Sequence, residues 1–430
     1  MNNPIIIGGG GIAGISAAYH LKQKGISSTI YEKENLYGGL CASFSINGFT
    51  FDNAVHLSFT HEKYVQNLFN SSCEIIIHKL PKMANYYKGY WLKHPAQNNL
   101  EPLDTKEKVD IIADFCNNPY KNQPIHNYED WLKAQYGEYF SQNFPMRYTR
   151  KYWNLEAKDL STSWVGSRMY QPNIKEVLHG AFDKNTPNTY YAKEMRVPKH
   201  GGYKSFLGGM AKDCDIKYNK EIIEVNPIKK IVYFADGSRQ EYSTFISTIP
   251  LPEYTKLIRN TPREVSIACN KLKYTSIALI SFGFNKSDIA KHLWFYIYDE
   301  DILPARCYSP NMKSPYNAPQ NCSSLQFEIY FSKDKPLALT KDETIKQVIN
   351  QCEKMKIFKK EDILMQDYRI LPYGNVTFYR GMEKDREIIK KFLQTCHIYT
   401  AGRFGEWDYL WSDQSVLSGK KVAEEIALII

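Results

Sequence analysis

The stretch that decides the fold is Ile5-Ile6-Ile7-Gly8-Gly9-Gly10-Gly11-Ile12-Ala13-Gly14. An apolar run enters a glycine turn with the pattern GxGxxG, and a helical pattern over residues 16–24 follows it. A further strand-like run occupies residues 29–32. Strand, turn, helix and strand in this order predict a βαβ unit with a phosphate-binding turn.

The three glycines of the pattern have separate physical tasks. Gly9 permits the tight turn, Gly11 lets the backbone approach a pyrophosphate, and Gly14 lets the helix pack closely on the strand. The helix begins near Ile12 and Ala13, where the positive end of its dipole attracts phosphate charge. With a strand before it and a helix after it, the pattern predicts a dinucleotide site.

Glu32 ends the next strand, 18 positions after Gly14. A carboxylate at this place accepts hydrogen bonds from ribose hydroxyls and would repel a 2′-phosphate. We therefore expect FAD or NAD as the ligand and not NADP.

A second glycine pair, Gly38-Gly39, follows Glu32 by six residues and precedes Leu40-Cys41-Ala42-Ser43. Here the chain resembles the flavin-containing amine oxidase superfamily, in which such a pair continues the grip on the dinucleotide. An ordinary turn is the alternative explanation of the pair. The resemblance implies FAD as the cofactor, with contacts at Gly9, Gly11, Ile12, Ala13, Gly14, Glu32, Lys33, Gly38, Gly39 and Leu40.

Composition excludes several classes of protein. The 430 residues are 43% hydrophobic and 23% charged, which is average for a globular chain and enough for two or three domains. The net charge of +9 is dispersed along the chain, so a nucleic-acid arm is not expected. It fits an anionic small substrate or acidic lipid, but a merely soluble surface explains it more simply.

Cysteine usage and hydropathy bear on the compartment. Nine cysteines without a CxxC pair predict free thiols and no metal site. Neither an export signal nor a run of eighteen apolar residues is visible, so we expect a cytoplasmic protein without an integral membrane segment.

The periodicity along the chain predicts an α/β fold: an FAD-binding Rossmann-type domain with a helical insert and a second antiparallel β-sheet domain. The FAD-binding domain is expected to be discontinuous, from residues 1–80, 195–265 and 375–430, because strand and turn signals recur in each. Residues 85–194 form the helical substrate domain and residues 266–374 the antiparallel substrate domain. The turn Asp236-Gly237 predicts a hairpin between residues 231–234 and 245–248.

Further segments resemble one branch of the superfamily, the UDP-galactopyranose mutases and the mutase-like flavoproteins of surface-polysaccharide pathways. Residues 52–60, which contain His56, are similar to the mutases' histidine loop against the flavin. Residues 148–153, ending at Trp153, are similar to the segment with their substrate tryptophan, and Arg168 occupies the place of their first substrate arginine.

The closing turn, residues 401–413, carries the strongest resemblance. Gly402, Arg403, Tyr409 and Asp413 stand where the mutases have the same residues. In that family the arginine contacts flavin and the tyrosine contacts the diphosphate of a sugar nucleotide. The resemblance also implies a cofactor contact at Val225, where the family's strand backbone meets the adenine.

Departures from the mutases concern the substrate more than the fold. The glycine before the loop histidine is Val55, and an aspartate of the closing turn is Trp411. The second diphosphate arginine, expected near residues 274–276, is absent there. Arg306 is a candidate replacement from a neighbouring strand, with a plain surface arginine as the alternative.

The resemblance implies a redox-neutral reaction, in which reduced flavin N5 attacks the anomeric carbon and the open adduct recloses as a five-membered ring. Arg168 and Tyr409 would stabilise the leaving diphosphate, and together with His56 they are the catalytic candidates. Each candidate also has a plain structural explanation: a surface ion pair for Arg168, core packing for Trp153, and a hydrogen-bonded structural histidine for His56. An amine-oxidase-like hydride transfer and a non-catalytic FAD-stabilised scaffold remain rival functions. The expected partner is a small-molecule substrate, most simply a nucleotide sugar; no nucleic acid is expected, and a homodimer is one possible assembly.

Overall fold

The computed structural model describes residues 4–79, 81–166, 169–186 and 194–430. Arg168 lies outside the described residues. The described strands are β1 Ile5–Gly8, β2 Ser28–Tyr31, β3 Ser43–Ile46, β4 Phe49–Asp52, β5 Ile75–Lys79, β6 Met83–Tyr87, β7 Tyr90–Lys93, β8 Glu194–Pro198, β9 Asp215–Lys217, β10 Ile222–Asn226, β11 Ile231–Phe234, β12 Arg239–Glu241, β13 Thr244–Ser247, β14 Tyr274–Phe284, β15 Trp294–Ile297, β16 Arg306–Tyr308, β17 Ser323–Phe331, β18 Ile363–Val376 and β19 Ile398–Thr400.

The helices lie against both large sheets and along one side of the cavity. In chain order the described helices are α1 Ile12–Gln23, α2 Lys63–Ser72, α3 Thr105–Cys116, α4 Tyr128–Tyr136, α5 Glu138–Asn143, α6 Pro145–Tyr152, α7 Ile174–Phe182, α8 Gly208–Ala211, α9 Tyr254–Leu257, α10 Arg263–Lys271, α11 Pro310–Lys313, α12 Lys341–Lys354, α13 Met382–Thr395, α14 Gly402–Gly405 and α15 Ser412–Ala427.

A five-stranded parallel sheet in the order β19-β13-β1-β2-β9 carries the glycine turn. Its central strand is buried on both faces, as a parallel sheet between helices requires. The strands come from three separated parts of the chain, which supports the discontinuous domain limits proposed above. Those limits stay a prediction.

A seven-stranded sheet in the order β18-β14-β17-β16-β15-β6-β7 forms the other half of the molecule, and the predicted fold class is confirmed. The sheet is antiparallel except where β15 lies parallel to β6, with Trp294 opposite Met83. A parallel pair needs a long connection, and the chain between these two strands supplies one. The periodicity predicts this sheet from residues 266–374 alone. In the structure, β6 and β7 from the N-terminal part of the chain complete it.

The hairpin predicted over residues 231–248 was wrong in its second strand. β11 pairs with β12, where Val232 faces Gln240, and β13 lies parallel to β1. The tight turn at Gly237, with φ of +82°, requires a partner only a few residues away. The buried run over residues 245–247 suits the inner parallel sheet instead.

Helices α1 and α15 pack closely and join the two ends of the sequence. A Cβ built on Gly419 would lie 2.3 Å from the carbonyl oxygen of Ala13, so only glycine fits there. The Ser16 hydroxyl donates to the Val416 carbonyl at 2.6 Å. The start of α1, where the glycine turn ends, is thereby fixed against α15.

Candidate active site

One cavity of about 1350 Å³ extends from the glycine turn into the space between helices α4 to α6 and the seven-stranded sheet. We call the end lined by residues 9–42 the cradle. The inner chamber is the part lined by described residues of 94–170 and 294–330, together with Tyr409. Pockets for one small molecule usually measure about 300–1,000 Å³, so this cavity has room for a cofactor and a second ligand.

The cradle has the geometry of a phosphate-binding turn. Gly9 has φ of +102°, and a Cβ on Gly14 would lie 2.1 Å from the Gly9 carbonyl oxygen. A Cβ on Gly11 would meet nothing within 4 Å, because this residue faces the cavity. Ile12 and Ala13, at the start of α1, also line the cavity. Backbone and space are therefore arranged for a pyrophosphate at a helix N-terminus.

Glu32 lies beside the turn and shapes it. Its Oε2 accepts a hydrogen bond from the Gly10 backbone at 2.7 Å, and its Oε1 accepts one from the Glu34 backbone at 2.9 Å. Glu32 and Lys33 both line the cavity. A carboxylate held in this way keeps acceptor capacity for ribose hydroxyls.

The second glycine pair closes the cradle from the other side. Gly38 and Gly39 have φ of +120° and +56°, and the Gly38 backbone donates to the Gly10 carbonyl at 2.9 Å. A Cβ on Gly39 would lie 3.3 Å from the Gly11 Cα. Leu40 also lines the cavity.

The closing turn brings Arg403 to the boundary between cradle and chamber. Gly402 has φ of +80°, and a Cβ there would lie 2.6 Å from the Ala13 Cβ. The Arg403 Nη2 donates to Asn375 Oδ1 at 2.8 Å, and its Nη1 donates to the Leu410 carbonyl at 3.3 Å. Its Nε–H is buried without a partner among the described residues. An unused donor beside an open cradle fits a cofactor that supplies the acceptor.

His56 lies on the loop after β4 and lines the cavity. Its Nδ1 is 3.2 Å from the Ala54 carbonyl, and its ring centroid is 5.2 Å from that of Tyr203. Burial lowers the pKa of His56 to about 4, so the imidazole is neutral at pH 7. The mutases have glycine where this chain has Val55. In this loop the residue with left-handed backbone is Ala54, with φ of +67°, so the backbone does not require glycine at position 55.

The inner chamber is lined largely by aromatic side chains with hydroxyl groups. Helix α6 supplies Tyr148 and Tyr152, Trp153 follows directly, and the sheet supplies Tyr296. The Trp153 ring lies 5.7 Å from that of Tyr409. Aromatic rings at these distances attract one another and present flat faces and hydroxyls to a ligand.

Lys151 fixes α6 against the sheet. Its buried ammonium donates to the carbonyls of Ile297, Asp299 and Pro304 at 3.0, 2.8 and 2.7 Å. Burial lowers the pKa of Lys151 to about 7. Three hydrogen bonds satisfy all three donors of an ammonium, and they hold the helix that carries Tyr148 and Tyr152.

Arg306 lines the inner chamber from β16, as its candidate role requires, but its charge is already paired. Its Nη2 lies 2.6 Å from Oε2 of Glu328, which is fully buried. Glu328 Oε1 also accepts the Val55 backbone N–H at 2.9 Å. The same carboxylate therefore holds the chamber wall and the loop that carries His56.

Three predicted cofactor residues stand behind the cavity wall. Gly14 packs against Gly9, the buried Val225 pairs with Val232 in β10 and β11, and Asp413 lies in the first turn of α15. Lys220, Glu221, Ile222 and Ile223 form the wall near Val225. The cavity lining places Gly9, Gly11, Glu32, His56, Trp153, Arg306, Gly402, Arg403 and Tyr409 around one space.

Sequence reasoning missed Asn375 and Glu328. Both are buried in the seven-stranded sheet, and both hold an arginine of the cavity wall. No motif marks either of them, since a polar residue within an apolar strand pattern has many uses. Within the residues that the structure describes, no group of side chains could hold a metal ion, and no helix is long and apolar enough to cross a membrane.

Solved structures share this fold across the whole chain. The structure of reduced UDP-galactopyranose mutase aligns with a TM-score of 0.92 at 23% identity, covering 100% of this chain and 96% of that one. A putrescine oxidase double mutant redesigned in cofactor binding aligns with a TM-score of 0.68 at 13% identity, covering 100% and 99%. These likenesses show the fold.

The sequence comparisons give one short match to a curated relative and one family match over most of the chain. A match of 68 residues at 43% identity links 16% of this chain to the 4,4′-diaponeurosporene oxygenase of Staphylococcus haemolyticus (strain JCSC1435), and it spans only 13% of that curated relative's length. Residues 12–427 match the family described as flavin containing amine oxidoreductase. The cradle fits the FAD that this family carries. The chain belongs to the flavin-containing amine oxidoreductase family, and its cofactor is FAD.

Proposed function

We propose that this flavoenzyme acts on a nucleotide-activated sugar in surface-polysaccharide biosynthesis, most simply as a pyranose–furanose mutase. The observation that carries the proposal is the chemistry of the inner chamber. Among the described residues that line it, Arg306 is charged and no aspartate, glutamate or lysine occurs. Tyrosine hydroxyls supply most of the remaining polar groups.

This lining suits a polar, anionic ligand better than a protonated amine. Hydroxyls on several walls offer donors and acceptors to sugar hydroxyls, and Trp153 offers a flat face to a sugar or a base. The guanidinium of Arg403, which has no carboxylate partner among the described residues, favours a diphosphate at the chamber boundary. A cationic substrate would find no lining carboxylate in the described chamber.

When bound and reduced, FAD supplies the electron pair that such an isomerisation needs at the anomeric carbon. The chain's own residues bind and orient. Tyr409 and Arg403 lie together, with the guanidinium carbon 4.5 Å from the ring centroid, and can share the charge of a leaving diphosphate. With Nδ1–H donating to the Ala54 carbonyl, neutral His56 offers Nε2 as an acceptor and carries no charge to the site. Arg168 remains a candidate for a second diphosphate contact.

The rival activity is a hydride transfer from an amine, which the family match and the fold shared with putrescine oxidase favour. Aromatic faces such as those of Trp153 and Tyr152 also attract cations. This enzyme would consume an electron acceptor, whereas the mutase would show no net redox turnover.

The experiment incubates dithionite-reduced protein with UDP-, dTDP- and GDP-sugars and resolves ring forms by chromatography. We expect conversion of one sugar by reduced protein and none by oxidised protein. Oxygen consumption with an amine panel, together with no conversion of any sugar, would establish the rival instead. The absence of both activities in a protein that holds FAD would favour the scaffold.

A further inference from the structure

Three described arginines line the cavity, and they differ in how their charge is compensated. Arg306 pairs with Glu328 at 2.6 Å, and Arg369 pairs with Asp367 at 2.7 Å. Arg403 has no carboxylate within ion-pair distance among the described residues; its partners are the neutral oxygens of Asn375 and Leu410. Of these three arginines, Arg403 is therefore the one whose positive charge has no carboxylate partner among the described residues.

The position of Arg403 gives that charge a use. The preceding residue, Gly402, leaves room only for glycine beside Ala13 of the cradle, and the Arg403 guanidinium lies over the ring of Tyr409 in the inner chamber. A cofactor that extends from the cradle toward the chamber must pass this side chain. Charges interact more strongly in such a partly buried site than in water.

Asn375 fixes the guanidinium from β18. The side chain is buried, and its Oδ1 accepts from Arg403 Nη2 at 2.8 Å and from the Tyr152 hydroxyl at 3.1 Å. Its Nδ2 lies 3.4 Å from Thr275 Oγ1, which turns the carbonyl toward the arginine. An aspartate of the same shape would neutralise Arg403 as Glu328 neutralises Arg306.

We propose that Asn375 is a positioning residue that holds the Arg403 guanidinium uncompensated between cradle and chamber, and that this charge raises the reduction potential of the bound FAD. Reduction adds electrons to the cofactor, so a fixed cation nearby favours the reduced state. The proposal rests on FAD as the cofactor and is independent of the substrate.

The test is the isosteric change Asn375→Asp, with the potential measured by spectrophotometric titration against a redox dye. We expect the equilibrium for reduction to fall at least tenfold, about 30 mV for a two-electron couple. The matched control is Gln97→Glu, which adds the same charge to the inner chamber at a residue with no described contact to an arginine. The control should shift the equilibrium less than threefold.

A second pair of variants keeps the test decisive where Asn375→Asp fails to hold FAD. Arg403→Gln should lower the potential in the same direction, and Arg403→Lys, which keeps the charge, should lower it less. Unchanged potentials in Asn375→Asp and Arg403→Gln, or an equal shift in Gln97→Glu, would overturn the proposal. Loss of FAD from every variant would also overturn it, since these residues would then act on binding rather than on potential.

Discussion

The carboxylate of Glu328 and the guanidinium of Arg306 form an ion pair inside the wall of the inner chamber, and the Glu328 side chain is fully buried. Removing one member of a buried pair leaves the other charge uncompensated, at a cost of about 3–5 kcal/mol. Because the Arg306 side chain is 17% exposed toward the cavity, we expect Glu328→Ala to lower the free energy of unfolding by about 3 kcal/mol.

Urea denaturation with matched flavin occupancy measures this loss. The control is Glu361→Ala, which breaks the exposed pair with Lys359 and should cost about 0–1 kcal/mol. Equal losses in the two variants would contradict a structural role for the Arg306 pair.

Glu32 should be essential for cofactor retention. Glu32→Lys removes the acceptor for ribose hydroxyls and the bonds to the Gly10 and Glu34 backbones, and it places a cation in the turn. We expect the purified variant to be colourless and to bind added FAD at least tenfold more weakly than wild type. The control is Glu34→Lys. It makes the same charge change at a neighbouring carboxylate that lines the cavity but is exposed, and this variant should stay yellow. Absorbance at the flavin band and circular dichroism decide between lost cofactor and lost fold.

Alanine substitution at two glycines of the same turn should affect two different properties, FAD affinity at Gly11 and apoprotein stability at Gly14. A methyl group on Gly11 meets no protein atom within 4 Å, so Gly11→Ala should fold normally and lose FAD affinity. A methyl group on Gly14 would lie 2.1 Å from a carbonyl oxygen, so Gly14→Ala should destabilise the apoprotein itself. Thermal unfolding of both apoproteins and FAD titrations check the contrast. An FAD affinity unchanged in Gly11→Ala would place the pyrophosphate elsewhere.

His56 should make stability depend on pH. Its folded pKa of about 4 lies below the ordinary value near 6.5, so the unfolded chain binds this proton first as the pH falls. The His56 contribution is fully present above pH 6.5 and is lost as the pH falls toward 4. The melting temperature of His56→Gln should therefore fall less steeply over this range than that of wild type, and His61→Gln, at an exposed histidine, is the control. Parallel curves for all three proteins would contradict the burial of a neutral imidazole.

Arg168 and Tyr409 should matter for turnover of a sugar nucleotide and not for cofactor binding. Loss of a charge-assisted contact to a leaving group costs about 2–4 kcal/mol, so Arg168→Ala should reduce turnover by roughly two to three orders of magnitude. Tyr409→Phe keeps the ring against Trp153 and should lose less. Arg259→Ala, at an arginine 79% exposed, is the control. Single-turnover kinetics on reduced protein, with FAD occupancy measured in parallel, distinguish these outcomes.

The sequence predicted the parts of the site that depend on local backbone geometry. Glycine patterns such as Gly9 to Gly14 have few structural explanations, and Glu32 follows at a fixed distance along the same βαβ unit. The contacts of Arg306 and Arg403 could not be read in this way, because they depend on which residues of distant strands stand opposite each other. Glu328 looks like an ordinary polar position until the register of β16 on β17 sets it opposite Arg306, and Asn375 until β18 pairs it with Thr275 of β14.

The packing of α1 against α15 also bears on when the protein can acquire its cofactor during synthesis. The glycine turn is synthesised before α15, and the helix residues that Ser16 and Ala13 contact follow about 400 residues later. At roughly 5–20 residues per second, that interval is about 20–80 s. Through this time α1 lacks the surface that buries Ala17 and Ile15 in the finished fold. Because α15 supports the start of α1, we expect the glycine turn to bind FAD only after Gly419 has been synthesised.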